Sequence, residues 1–188
     1  MRVTGGSARG VPLRSPKRPG VRPTMDRVRS ALFSILTPSG LEGAQVVDLF
    51  AGTGSLGIEA LSRGAAHVDF VEENALQCTD IRANLEAARL LERATVHQMT
   101  VERALRVLAT RYDFVLMDPP YSQPFPADAV TKLETQGLLQ PEAIVVVGHA
   151  SRVPSPDVCG SLQRWQDRQY GDASLAFYAR PQEKVPND

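Results

Sequence analysis

The stretch Val46–Gly57, VVDLFAGTGSLG, constrains this chain more than any other. Its apolar start, Val46 to Leu49, reads as a buried strand. Gly52 and Gly54 let the backbone turn sharply and approach a ligand that a Cβ would hold off. Helical spacing begins after Gly54. The free N–H groups and positive dipole end of that helix therefore face the same ligand. Gly52, Gly54 and Gly57 follow G-x-G-x-x-G, which is also the dinucleotide-binding spacing. Alone, the turn leaves open which nucleotide-like group it holds.

The flanking segments alternate. Thr24 is the expected N-cap of a helix whose apolar face is Val28, Ala31, Leu32, Ile35 and Leu36. After the glycine turn, helices are expected at 55–63, 74–90, 101–109 and near 127–136. Strands are expected at 67–72, 95–99, 114–117 and 143–148. Residues 162–170 and 174–180 read as an antiparallel hairpin joined at Gly171-Asp172. Alternating strand and helix implies a doubly wound, mostly parallel sheet covered on both faces. The hairpin adds one antiparallel strand near an edge. Residues 1–22, rich in Gly and Pro, form a basic extension that is either a short hairpin around Gly5–Gly10 or disordered until bound. Residues 23–188 form the main domain.

The chain has 188 residues, enough for one domain with a full core. No apolar run is long enough to span a bilayer, and the N-terminus lacks the apolar region of a secretory signal. Cys78 and Cys159 form neither a disulfide framework nor a zinc signature. A cytoplasmic monomer is expected. Net charge is zero, but residues 1–36 carry eight basic side chains against Asp26 alone, leaving the body acidic. A basic segment on an acidic body suits a polyanionic partner. A solvated Arg-rich tail accounts for the charge equally well.

Three features fall at the C-terminal ends of expected strands, where open α/β sheets bind ligands. One is the Gly52–Gly54 turn. The second is Glu72, 20 residues after Gly52, where a carboxylate can accept hydrogen bonds from ribose hydroxyls; a plain surface acid is the alternative. The third is Asp118-Pro119-Pro120-Tyr121. Two prolines donate no backbone hydrogen bonds and fix the path of the chain. Their carbonyls and the Asp118 carboxylate offer acceptors only, beside an aromatic ring. Such a corner suits a planar amino group whose ring stacks on Tyr121. A Pro-Pro turn with a helix-capping Asp would carry the same letters.

Asp48-x-Phe50-x-Gly52-x-Gly54 resembles motif I of class I S-adenosylmethionine-dependent methyltransferases. Asp118-Pro119-Pro120-Tyr121 resembles their motif for methylating amino groups. In the dehydrogenase fingerprint the first glycine directly follows the strand, whereas here Asp48 ends the strand four residues earlier. Arg22-Pro-Thr-x-Asp-Arg-Val-Arg29 and the run Asp48–Ala65 together resemble the RsmD family, from about Gly5 to Tyr178. Members of that family methylate the exocyclic N2 of one guanine in small-subunit ribosomal RNA.

The resemblance implies a Rossmann-like, seven-stranded sheet and S-adenosylmethionine as cofactor. It assigns Asp48, Phe50, Gly52, Gly54, Glu72 and Thr100 to the cofactor, with Thr100 near adenine by side chain or backbone. Asp118 and Pro119 would hold the target amine, and Tyr121 would stack on the base. Arg22, Thr24 and Arg27 would face substrate. Ribosomal RNA, free or within the small subunit or an assembly intermediate, is the implied partner. Two rivals stand: a methyltransferase acting on DNA adenine N6 or protein glutamine, and a non-catalytic module that only binds S-adenosylmethionine or RNA.

Overall fold

The computed structural model describes residues 1–14 and 23–181, the side chains of 23–26 excepted. In chain order the elements are α1 (Pro23–Leu36), β1 (Gln45–Leu49), α2 (Ser55–Ser62), β2 (His67–Glu72), α3 (Ala75–Ala88), β3 (Ala94–Gln98), α4 (Val101–Val107), β4 (Tyr112–Met117), α5 (Ala127–Thr135), β5 (Leu139–Ala150), β6 (Val158–Cys159), β7 (Leu162–Tyr170) and β8 (Ala173–Ala179). They build one sheet in the order β3-β2-β1-β4-β5-β8-β7-β6. The first five are parallel, and β8 runs antiparallel between β5 and β7. Eight strands stand where seven were expected. The additional one is β6, two residues paired antiparallel to β7 at the edge. It follows a Pro-containing stretch whose only apolar pair, Val158-Cys159, gives little periodicity to read. β5 starts at Leu139 rather than 143, because Tyr112 pairs with Leu139 before the register shifts.

Strand alternation splits the core into two layers. Val46, Val68, Phe70, Phe114, Leu116, Val146, Leu175 and Phe177 face α1, α2 and α3. Val47, Leu49, Val71, Val115, Met117, Val145 and Val147 face the layer of α4 and α5. No helix among the described residues is long and apolar enough to cross a membrane.

Residues 1–14 form a hairpin. Val3 and Val11 close it through Val3 N–H to Val11 O at 3.0 Å, and Leu13 N–H reaches Met1 O. Its Val3, Ala8 and Leu13 are buried in the layer that holds Leu32, Phe33 and Leu61. Polar contacts then lock it down. Glu59 on α2, fully buried, accepts Thr4 N–H at 2.8 Å, the Thr4 hydroxyl at 2.7 Å, Arg63 Nε at 2.8 Å and Arg29 Nε at 3.3 Å. Arg29 also donates to Arg2 O. One buried carboxylate thus ties the hairpin, α1 and α2 together, and its charge is met by two guanidinium groups as burial requires.

Candidate active site

The glycine turn is shaped by acids from two strands. Asp48, 1% exposed at the end of β1, accepts Gly57 N–H at 2.9 Å from the first turn of α2. It thereby satisfies one of that helix's free N–H groups. Phe50 and Gly52 adopt positive φ, 61° and 56°, and Gly54 closes the turn as the left-handed N-cap of α2. A Cβ on Gly52 would meet only Phe50 O at 3.9 Å, whereas one on Gly54 would crowd Ile81 and Phe70. Gly54 is therefore set by close packing as well as by φ, while the space over Gly52 stays open.

Glu72, at the end of β2, accepts Gly52 N–H and Asn74 N–H, each at 2.8 Å. With its amide nitrogen turned inward, Gln77 donates to both Glu72 oxygens, at 3.0 and 3.2 Å. The loop is held from below as well. Asn84 of α3, fully buried, donates to Thr53 O at 3.0 Å and to Arg14 O at 3.2 Å, and accepts Arg14 N–H. One amide thus links the glycine turn to the N-terminal hairpin. Desolvation pushes the Asp48 carboxyl well above its ordinary range, against the pull of Gly57 N–H; Asp118 and Glu72 raise it further. Three acids therefore share one neighbourhood.

Asp118 follows β4, one strand over. Its carboxylate takes a hydrogen bond from the Tyr121 hydroxyl. Burial pushes it up to about 6, with the Tyr121 hydrogen bond pulling the other way. Burial and the adjacent Asp118 charge in turn raise the Tyr121 phenol. Tyr121 turns its hydroxyl inward while 39% of its surface stays open. Further along the loop, Phe125 sets its ring against His149, 5.4 Å away and edge-on, and against Tyr178 at 5.9 Å. Next to this corner lies a cavity of about 480 Å³. Asp118, Pro119 and Tyr121 form one end of it, α1 contributes Val28 and Leu32, and the β7–β8 hairpin contributes Tyr170 and Leu175. A second recess, about 400 Å³, opens on the other side of β1 among Phe50, Val101, Leu105, Pro124 and Phe125.

The fold thus gathers Asp48, Phe50, Gly52, Gly54, Glu72, Asp118, Pro119 and Tyr121 around the C-terminal ends of β1, β2 and β4. Thr100 caps α4, accepting Arg103 N–H through its hydroxyl at 3.3 Å, so that oxygen is already engaged. Arg27 is exposed on α1. Arg22 and the side chain of Thr24 lie outside the described residues. Sequence reasoning did not single out Asn84, Gln77 or Gly148. Only Gly148 carries a signal, a glycine directly after the apolar run Val145–Val147 and within the same strand, which marks close approach of another group.

A family model described as Conserved hypothetical protein 95 matches residues 1–179. Ribosomal RNA small subunit methyltransferase D of Escherichia coli is 32% identical over 180 residues, covering 96% of this chain and 90% of the relative. The protein of the same name in Haemophilus influenzae is 33% identical over 150 residues, covering 78% and 77%. The solved structure of a conserved hypothetical protein of Streptococcus pyogenes superposes with a TM-score of 0.77 at 33% identity, covering 81% of this chain and 95% of that one. The family match runs through the N-terminal hairpin, the glycine turn, Glu72 and the Asp118–Tyr121 corner alike, and the chain belongs to the Conserved hypothetical protein 95 family, the RsmD family that its motifs resemble.

Proposed function

We propose that the chain transfers a methyl group from S-adenosylmethionine to the exocyclic N2 of a guanine in small-subunit ribosomal RNA. The observation that carries this reading is the acceptor-only corner of Asp118 and Pro119, one strand from an acid-held glycine turn. The name of the Escherichia coli relative supports ribosomal RNA as substrate. The residues suit the cofactor. Asp48, Glu72 and Asp118 lie close enough that, after burial, the charges of Asp118 and Glu72 also raise the Asp48 carboxyl, and a sulfonium cation would relieve that repulsion. Each Glu72 oxygen has a second lone pair, and two ribose hydroxyls can replace the Gln77 amide there. The recess among Phe50, Val101, Leu105 and Phe125 offers apolar walls to adenine, and Thr100 directly precedes Val101.

Bound there, the cofactor supplies an electrophilic methyl group on sulfur. The protein prepares the nucleophile. Asp118 and the Pro119 carbonyl accept the two N–H bonds of the target amine and favour a pyramidal nitrogen whose lone pair leaves conjugation with the ring; once methylated, that nitrogen releases one proton to solvent. Their hydrogen bonds strengthen as positive charge develops on nitrogen, which lowers the barrier. Tyr121 stacks on the base, which must leave its helix to enter. Asp118 acts while ionised, so turnover declines as pH falls through about 6. Exposed Arg2, Arg9, Arg14 and Arg27 supply phosphate contacts and a steep salt dependence. The test offers labelled S-adenosylmethionine with ribosomal RNA, small subunits, DNA and protein extract. Label on guanine N2 of ribosomal RNA is the expected result. Label confined to DNA adenine or protein glutamine, or no transfer at all, rejects the proposal.

A further inference from the structure

The strand beside the Asp118 corner carries a feature that its backbone does not require. Gly148 lies inside β5, among Val145, Val146, Val147 and His149. It is not among the glycines with positive φ, so any residue could adopt its backbone. What forbids a side chain is a neighbour. A Cβ built on Gly148 would stand 2.7 Å from Asp118 Oδ1 and 3.5 Å from Met117 O. The register explains the approach. Met117 pairs with Val147, so the next step along both strands sets Asp118 beside Gly148. On the other side, Leu175 of β8 pairs with Gly148. Strand alternation from Leu116 and Val146 turns Asp118 and Gly148 toward the layer that also holds Leu175.

These three positions form a row across the sheet at one end of the 480 Å³ cavity: an acceptor, a bare Cα, then an apolar wall. Val28 and Leu32 of α1 and Tyr170 of β7 supply further walls. We infer that this cavity is the seat of the extruded target base, and that Gly148 is a positioning residue on its floor, left bare so that an amino group can reach the open side of Asp118 Oδ1. The inference rests on the amino-methylation reading given above. A methyl group at residue 148 would stand within hydrogen-bond distance of that oxygen, 2.7 Å away. It would either push the carboxylate aside or block the approach of the N–H donor. Both outcomes leave the glycine turn and Glu72 untouched.

The experiment measures methyl transfer to small-subunit ribosomal RNA, together with S-adenosylmethionine affinity by calorimetry, for wild type, Gly148→Ala and Val28→Trp. Gly148→Ala is expected to lose about 100-fold in kcat, the scale of an ångström-sized misplacement. Its cofactor affinity should stay within about twofold of wild type. It should also move the acidic limb of the pH–rate profile, which a purely structural lesion would leave in place. Val28→Trp fills the cavity from half-buried α1, away from Asp118, and is expected to raise the RNA KM about tenfold or more with cofactor affinity retained. Should Gly148→Ala fail to fold, Val28→Trp decides alone. A kcat within threefold of wild type for folded Gly148→Ala, or an RNA KM within threefold of wild type for folded Val28→Trp, overturns the base seat. Wild-type protein that transfers no methyl group to RNA overturns instead the functional reading on which it rests.

Discussion

The glycine turn and the Asp118–Tyr121 corner sit at the ends of adjacent paired strands, β1 and β4, yet their polar groups are arranged in opposite ways. In the turn the backbone donates and carboxylates accept. Gly52 and Asn74 give their N–H groups to Glu72, and Gly57 gives its own to Asp48. In the corner two prolines remove the donors, and Asp118 is met by the Tyr121 hydroxyl. Carboxylates that brace a loop become part of its structure. One met by a single phenol keeps acceptor capacity for an incoming donor, although burial raises its proton affinity as it does that of Asp48. The difference separates a preorganised cradle from a reactive group, and each can be removed on its own.

The sharpest break is Asp118→Ala. Removing an acceptor that strengthens in the transition state should lower kcat by about 10²–10³-fold. Cofactor affinity should change by no more than about threefold, since the turn and Glu72 remain. Radiolabel transfer and calorimetry on the same preparation test the split. Equal losses in turnover and cofactor binding would merge the two loops into one unit.

Glu72→Ala attacks the cradle. It removes the acceptor of Gly52 N–H and Asn74 N–H, and such part-buried, charge-assisted bonds contribute about 1–2 kcal/mol each. Unfolding free energy should fall by about 2–4 kcal/mol. Saturating S-adenosylmethionine should then raise Tm by less than it does for wild type. An unchanged urea midpoint would show that Glu72 does not brace the turn.

Much of this arrangement is legible in the letters because local chemistry and global position agree. Asp48, Gly52, Gly54 and Glu72 lie within one strand–turn–helix–strand unit, and the prolines after Asp118 fix their own geometry. The hairpin differs. Its glycines, prolines and arginines read as an extension, yet Val3, Ala8 and Leu13 are buried. What attaches it is Glu59 and Asn84, which lie on helices more than fifty residues away. Nothing local marks either residue as a partner of the terminus. The charge asymmetry was equally incomplete. Arg29, counted as part of a basic surface, is 3% exposed and paired with Glu59.

A third measurement compares stabilities with pH. Asp118 has a folded-state value near 6 against an ordinary carboxyl of 3.8, so the native state binds the proton more tightly than the unfolded chain. Stability is therefore lost as pH rises from about 4 through 6, and the penalty is complete above it. Asp118→Asn removes the penalty. It should be more stable than wild type by about 1–2 kcal/mol at pH 8, with the gain vanishing near pH 4. Chemical denaturation at both values tests this. Asp48→Asn supplies the contrast. It weakens the acceptor for Gly57 N–H, so the relief of desolvation is offset by a poorer brace.

The smallest expected effect is also the most diagnostic of the corner. The Tyr121 hydroxyl lowers the Asp118 proton affinity, so Tyr121→Phe should raise it above about 6. The ring remains available for stacking. Turnover should drop severalfold near pH 6.5, where more of Asp118 becomes protonated, and approach the wild-type rate at pH 8. The acidic limb of the pH–rate profile should move upward. Tyr121→Ala should instead raise the RNA KM at every pH, because base–aromatic stacking of about 1–3 kcal/mol is lost. If Tyr121→Phe left the acidic limb in place, the carboxylate that limits turnover would not be the one beneath this phenol. The cradle acids, Asp48 first among them, would then carry the pH dependence.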